Sequence, residues 1–257
     1  MDLGLEGRKA IITGGTRGIG HTIARTLLDE GVDVAICARS GTAVAEAIDE
    51  LSTHAGGATV TGAAVDVGDR VAYRAWLEAA ADELGGVDIF IGNVAYTPDA
   101  DEDTRWQAAF DIDLGHCVVG CRTLLPHLAQ SDAGAVVLIS SVAAVMAELP
   151  EGEGPYGAMK AALVSYAAQL AHRAAQTGTR VNTVLPGPTV FEGGVWDQIR
   201  RDDPDTFAAA EAMTALGRLA TPEEIARVVV FLAGPAASYV TGANWRVDGG
   251  ILKHANF

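Results

Sequence analysis

The sequence predicts a doubly wound parallel α/β sheet of about seven strands with helices on both faces. Three observations carry that prediction. Apolar strand-like runs alternate with helically spaced stretches along nearly the whole chain. The first run ends in a glycine-rich turn that opens straight into a helical pattern. The spacing of strand, helix, strand suits parallel strands joined by helical crossovers.

The elements follow in order. Lys9–Thr13 is a short apolar run closed by Gly14-Gly15, and Ile19–Glu30 follows with helical spacing. Val32–Cys37 is the second run and Thr42–His54 reads as a helix. Thr59–Val65 and Asp88–Ile91 flank a helix over Asp69–Leu84. Thr104–Ala129 reads as a long helix before the fifth run, Ala135–Ile139. An Ala-rich helix, Pro155–Gln176, leads to Arg180–Leu185. Pro222–Leu232 is the last helix and Trp245–Val247 a short last strand. Right-handed crossovers wind such a sheet in both directions, and ligands then bind at the carboxyl ends of its strands.

Residues 1–257 are expected to form one domain, since neither a linker nor a solenoid repeat interrupts the rhythm. The exception is 186–216, which holds Gly193-Gly194, Trp196, Asp202-Asp203-Pro204 and two short helix-like pieces. A substrate lid is expected there, at about 188–216. The composition, 49% apolar with a net charge of −15, favours a large core and gives no basic footprint for nucleic acid. The first residues do not read as a signal peptide, and no apolar run suggests a membrane span. A cytoplasmic protein is expected. Cys37, Cys117 and Cys121 are too few and too scattered for a disulfide framework, so they read as buried thiols, and no metal site is expected.

The turn Thr13-Gly14-Gly15-Thr16-Arg17-Gly18-Ile19-Gly20 is the first motif with chemistry in it. Its glycines serve the turn, the approach of backbone to a phosphate, and close packing of helix on strand. The helix then offers its free N–H groups to a pyrophosphate. The Lys-Ser/Thr ending of a P-loop is missing. After the second strand the chain reads Ile36-Cys37-Ala38-Arg39-Ser40, with no acid for a ribose 2′-hydroxyl. Arg39 and Arg17 instead suit a 2′-phosphate. NADP(H) is therefore preferred over NAD(H), which stays possible because Arg39 also reads as a solvated surface charge.

Tyr156 and Lys160 are four apart at the start of a helix, so phenol and ammonium share one face. A fixed cation favours phenolate and makes Tyr156 a usable general acid/base. Lys160 is also placed to hydrogen-bond a nicotinamide ribose. Ser140-Ser141 ends the preceding strand and offers a hydroxyl to a substrate oxygen.

With these motifs the chain resembles the compact, single-domain short-chain dehydrogenase/reductases, a Rossmann-like family, from Leu3 to Gly250. The 3-oxoacyl reductase-like and hydroxysteroid dehydrogenase-like members are the similar kinds. The resemblance matches Asp66-Val67 to an adenine contact, Asn93 to the adenosine ribose, and Pro186-Gly187 to the turn beside the nicotinamide. It also covers Gly217-Arg218, Pro222-Glu223-Glu224 and Asp248-Gly249-Gly250. It implies an oxidoreductase acting on CH–OH or C=O groups. Hydride passes between nicotinamide and substrate carbon, Tyr156 handles the proton, Ser141 orients the oxygen, and Lys160 binds the ribose. It further implies a homotetramer built on the helices around 104–129 and 155–176, with a dimer as runner-up. His116 and His172 are expected to be interface or surface residues.

Three departures from the family pattern stand out. Gly92-Asn93-Val94-Ala95 lacks the usual final glycine, so the local turn is expected to differ. The family's helical asparagine falls at Asp113, which either keeps the relay to Lys160 with an altered pH profile or is a packing substitution. Phe191 replaces a frequent threonine, leaving Thr189 nearby for the carboxamide, and about two residues are added between Ser141 and Tyr156, among Glu148, Glu151 and Glu153. Phe191, Val195, Trp196, Ile199, Phe207, Met213 and Leu216 form either an apolar pocket wall or the lid's own core. An oxoacyl, steroid or cyclic ketone is the expected substrate class. The competing readings are a catalytically silent dinucleotide sensor or structural subunit, and a nucleotide-sugar epimerase, which the glycine spacing disfavours.

Overall fold

The computed structural model describes residues 2–96 and 100–253. Seven strands form one sheet in the order β3-β2-β1-β4-β5-β6-β7. They are β1 (Lys9–Thr13), β2 (Asp33–Ala38), β3 (Val60–Ala64), β4 (Ile89–Gly92), β5 (Ala135–Ile139), β6 (Arg180–Pro186) and β7 (Asn244–Val247). Every neighbouring pair is parallel. The seven runs read from the sequence all become strands, with no end shifted by more than one residue.

Alternation along each strand divides the core into two layers. Ile12, Val34, Ile36 and Ile91 pack with Ile23 and Leu27 of α1 (Gly18–Asp29) and with Ile225 and Val229 of α9 (Pro222–Ala233). Their neighbours Ile11, Ala35, Cys37 and Phe90 face the other way. There they meet Tyr73 and Leu77 of α3 (Arg70–Leu84), Leu124 of α5 (His116–Leu128) and Leu163 and Leu170 of α6 (Gly154–Ala174). The three cysteines are buried and unpaired, and burial raises the Cys37 and Cys117 thiols to about 12.

Strand order reverses direction between β1 and β4, so the crevice lies outside their carboxyl ends. The glycine turn leaves β1 there and Asn93 leaves β4 beside it. The two lid helices are α7 (Val195–Asp202) and α8 (Pro204–Met213). Helix α2 covers Gly41–Ser52.

One expected helix is not regular. The stretch read as Thr104–Ala129 is α4 (Glu102–Ala108), a π-helical turn over Ala109–Gly115, and then α5. A π turn shifts the hydrogen-bond register and re-aims its side chains. His116 anchors the far end of that turn. Its Nδ1 meets the carbonyl of Ile112, and its Nε2 lies 3.4 Å from the Thr13 hydroxyl. His116 is thus in the core under the glycine turn, not on an interface or the surface. Burial lowers it to about 3, so it stays neutral. The tautomer that donates from Nδ1 to Ile112 leaves Nε2 to accept.

Candidate active site

The glycine turn is held open by backbone that only glycine adopts easily. Gly14 and Gly18 have φ of +71° and +56°. A Cβ on Gly18 would strike the Phe191 ring at 2.5 Å, and one on Gly20 would collide with the Gly14 carbonyl. Arg17 is the N-cap of α1 but its side chain makes no cap, which leaves the helix N–H groups facing the crevice. Instead its guanidinium donates to the Gly193 carbonyl at 3.4 Å.

Asn93 buttresses this turn. Its amide donates to the carbonyls of Thr13 and Gly14 at 3.0 and 3.2 Å, and its backbone N–H donates to the Thr13 hydroxyl at 2.9 Å. In the turn that follows, no described non-glycine residue has positive φ, so Ala95 takes an ordinary conformation.

A cleft of about 290 Å³ opens over these elements. Gly14, Thr16, Arg17, Ile19 and Gly20 form its floor, and Asn93 flanks them. Arg39, Asp66 and Val67 line its far end together with Tyr96, a residue no motif singled out. The Asp66 carboxylate accepts from Gly68 N–H at 2.9 Å and shapes the turn it sits in. Arg39 lies over the Tyr96 ring, 4.8 Å from its centre.

Ser141, Tyr156 and Lys160 converge at the ends of β5 and α6. Extended backbone at Ser141 presents a hydroxyl that also accepts from Ala143 N–H at 3.1 Å. Ser140 has a different role, donating to the Lys160 carbonyl at 2.9 Å and clamping α6 to β5. Pro155 stands in the first turn of α6, where its missing N–H costs nothing, so the helix starts just ahead of Tyr156. Tyr156 is half-buried, and the Lys160 ammonium lies 5.6 Å from its ring centre.

Lys160 is 1% exposed and Asp113 not at all. The ammonium donates to the Ile139 carbonyl at 3.0 Å and stands 3.5 Å from an Asp113 carboxylate oxygen. Among the described residues, neither Asp113 oxygen has a well-formed hydrogen-bond partner. Burial raises Asp113 to about 6, against the pull of Lys160. Burial pulls Lys160 down, but Asp113, Tyr156 and Cys117 outweigh it and hold the ammonium above its ordinary value. For Tyr156 the net direction differs from the sequence expectation. Burial raises the phenol, and Lys160 and the Ser141 hydroxyl only partly offset that, because Asp113 and Glu153 push the other way. Glu153, at the start of α6, is itself raised by partial burial.

The remaining expected site residues divide. Pro186 ends β6 and Gly187 follows it against the last motif, where a Cβ on Gly187 would come within 2.9 Å of Asp248 Cα. Thr189 is buried, and its hydroxyl is committed to the Gly187 carbonyl at 3.0 Å. None of these three lines the cleft, whereas Phe191 does. Arg218 and Glu224 form a two-pronged ion pair at 2.6 and 2.8 Å, and Glu224 also accepts from Thr221 N–H at the start of α9. This late motif is a helix start. Among the described residues, no helix is long and apolar enough to cross a membrane.

The site thus combines a glycine turn with uncapped helix N–H groups, a buried cation, a phenol and a hydroxyl. The family model described as enoyl-(acyl carrier protein) reductase matches residues 14–252. The chain belongs to the short-chain dehydrogenase/reductase family. It is an oxidoreductase of that type. Among its relatives, isoepoxydon dehydrogenase patN of Penicillium expansum is 36% identical over 100% of this chain and 99% of its own length. The 3-oxoacyl-(acyl-carrier-protein) reductase FabG of Vibrio harveyi is 32% identical over 97% and 99%. The crystal structure of L-sorbose reductase from Gluconobacter frateurii, complexed with NADPH and L-sorbose, superposes with a TM-score of 0.89 at 29% identity, covering 99% of this chain and 100% of that one.

Proposed function

We propose that this short-chain dehydrogenase/reductase moves a hydride between NADP(H) and a ketone or secondary alcohol of apolar character, of the oxoacyl, steroid or cyclic ketone class. The observation that carries the reading is the convergence of Ser141, Tyr156 and the buried Lys160–Asp113 pair next to a glycine turn with uncapped helix N–H groups. The turn suits a dinucleotide, because Gly14 and Gly18 hold positive φ, Gly20 packs directly on the Gly14 carbonyl, and the N–H groups of α1 have no side-chain cap. When bound, the nicotinamide supplies or accepts the hydride.

The chain's own residues do the rest. Gly14, Thr16, Gly18, Ile19 and Gly20 hold the pyrophosphate on the helix N-terminus. Arg17 and Arg39 take the 2′-phosphate, and the relative solved with NADPH supports that choice. Asp66 and Val67 flank the adenine and Asn93 the adenosine ribose. Pro186, Gly187 and the backbone of Thr189 flank the nicotinamide, and Lys160 its ribose. Ser141 fixes the substrate oxygen, and Tyr156 Oη holds or takes the proton. Asp113 sets the charge around Lys160 and so around Tyr156. The groups facing Asp113 are Lys160 and Tyr156 from α6, Glu153 just ahead of it, Cys117 from α5, and the Tyr96 backbone.

Residues 1–257 act as one domain, and 188–216 is its substrate lid. Val195 and Leu216 are about 70% exposed, so they are not packed in a lid core and offer an apolar wall. Asp197 steadies the lid. It is buried, accepts from Gly193 N–H at 3.0 Å, and pairs with Arg200 and Arg201. Exposed Trp106 and Phe110, one turn apart, support assembly into a homotetramer.

The test is to titrate the purified protein with NADPH and NADH, then follow oxidation of each on a panel of oxoacyl, steroid, cyclic and polyhydroxylated ketones. Tighter NADPH binding with turnover of the apolar ketones is expected. Binding without turnover of any ketone would contradict the catalytic reading. Turnover confined to the polyhydroxylated ketones would contradict the substrate class.

A further inference from the structure

Arg39 and Tyr96 come from different strands. Arg39 follows β2 and Tyr96 lies four residues beyond the end of β4, and those strands flank β1 on either side. Their contact therefore reaches over the glycine turn that β1 feeds. The guanidinium carbon lies 4.8 Å from the Tyr96 ring centre, well inside the ~6 Å range of a cation–π contact. Both side chains line the far end of the cleft. Among the described residues Arg39 has no carboxylate partner, so the ring is what holds it.

We propose that Tyr96 is a positioning residue for cofactor selectivity, its ring holding the Arg39 guanidinium at the adenosine end of the cleft. This rests on the NADP(H) reading given above. A guanidinium stacked on a ring spends only its flat face. Its in-plane N–H fork stays available for a phosphate. A carboxylate partner would instead occupy that fork and bring negative charge to a phosphate site. An exposed arginine free of any contact would lose more rotamer freedom on gripping a phosphate. The ring removes part of that loss beforehand, which is how pre-organisation raises affinity. The start of the loop that carries the ring is tied down at Asn93, to Thr13 and Gly14, and Val94, Ala95 and Tyr96 all avoid positive φ.

The proposal separates Tyr96 from a residue that merely packs against adenosine. A packing ring would serve both cofactors alike, since NADH and NADPH share the adenosine. A ring acting through Arg39 serves NADPH alone.

The test is a set of dissociation constants for NADPH and NADH, by calorimetry on the full chain, for the wild type, Tyr96→Phe, Tyr96→Ala, Arg39→Ala and the double Arg39→Ala/Tyr96→Ala. Thermal melting of each variant checks folding, and Tyr96 is 36% exposed, so its replacement opens no core cavity. Tyr96→Ala is expected to weaken NADPH by about two- to fivefold with NADH unchanged, and Tyr96→Phe to keep wild-type affinity. In the Arg39→Ala background Tyr96→Ala is expected to do nothing more. Equal weakening of both cofactors, tighter NADPH binding, or an undiminished effect without Arg39 would overturn the proposal while leaving the NADP(H) reading in place. A wild type that shows no preference for NADPH would overturn that reading, and the proposal with it.

Discussion

At one end of the cleft Arg17 and Arg39 stand exposed, one on a carbonyl and one on a ring. Away from the cleft's lining, where α6 meets the π turn, Lys160 and Asp113 are sealed from solvent and face each other at 3.5 Å. The same pair of needs, placing charge and keeping it there, is met in two ways. Exposed charge is screened beyond about 8 Å at physiological salt, so it is cheap to place and each contact gives a modest preference. Buried charge is expensive to place, and removing one partner strands the other. The exposed end is thus suited to choosing between two similar cofactors. The buried end is suited to proton chemistry, because desolvation moves the acidities of its groups while keeping water away.

Changes at the two ends should therefore differ in size and in kind. Tyr156→Phe is expected to cost the most, about 10²- to 10⁴-fold in turnover, with NADPH affinity nearly unchanged, which single-turnover kinetics and calorimetry would resolve. A turnover within about tenfold of the wild type would mean that the buried end does not centre on this phenol. Asp113→Ala leaves the Lys160 ammonium buried without its partner and is expected to cost about 3–5 kcal/mol of stability in chemical denaturation. Asp113→Asn, which keeps the shape, should lose much less. Equal losses in the two variants would show that charge, not shape, is what Asp113 supplies. The raised carboxyl has a stability signature as well. The folded chain holds that proton over a pH range where the unfolded chain has already released it, from about 4 to about 6. Stability should fall as pH climbs through that window, and Asp113→Asn should flatten the slope.

The exposed end should show the smaller effect. Arg39→Asp is expected to shift the NADPH-to-NADH preference by about tenfold toward NADH, with turnover at saturating cofactor unchanged. A fall in turnover instead would show that the two ends are not separable.

The two ends are also unequally legible in the sequence. Seven strands and the glycine turn announce themselves through apolar runs and short-range spacing, which is local information. Ser141, Tyr156 and Lys160 are legible for the same reason, since helical spacing and the preceding strand end fix their neighbourhood. Asp113 can be located by its motif, but not its full burial or its bare oxygens. Those depend on a π turn whose extra residue leaves no mark in the apolar pattern, and on a helix that lies far along the chain. The surface expected for His116 is wrong because helix position alone does not say which side the sheet covers; it sits beside Cys117 in the core. Tyr96 lies just past the end of a motif, and its contact with Arg39 exists only once β2 and β4 are brought to either side of β1.

The most direct test of the buried pair is the pH dependence of kcat for the wild type and for Asp113→Asn, measured from about pH 4.5 to about 9, a span that brackets the shifted carboxyl, with saturating NADPH. The wild type should lose activity as pH falls through about 6, where the Asp113 carboxyl takes up its proton. Asp113→Asn should lack that limb, having no carboxyl to titrate. The same acid limb in both proteins would contradict the account and assign the titration to another group, with Glu153 first in line.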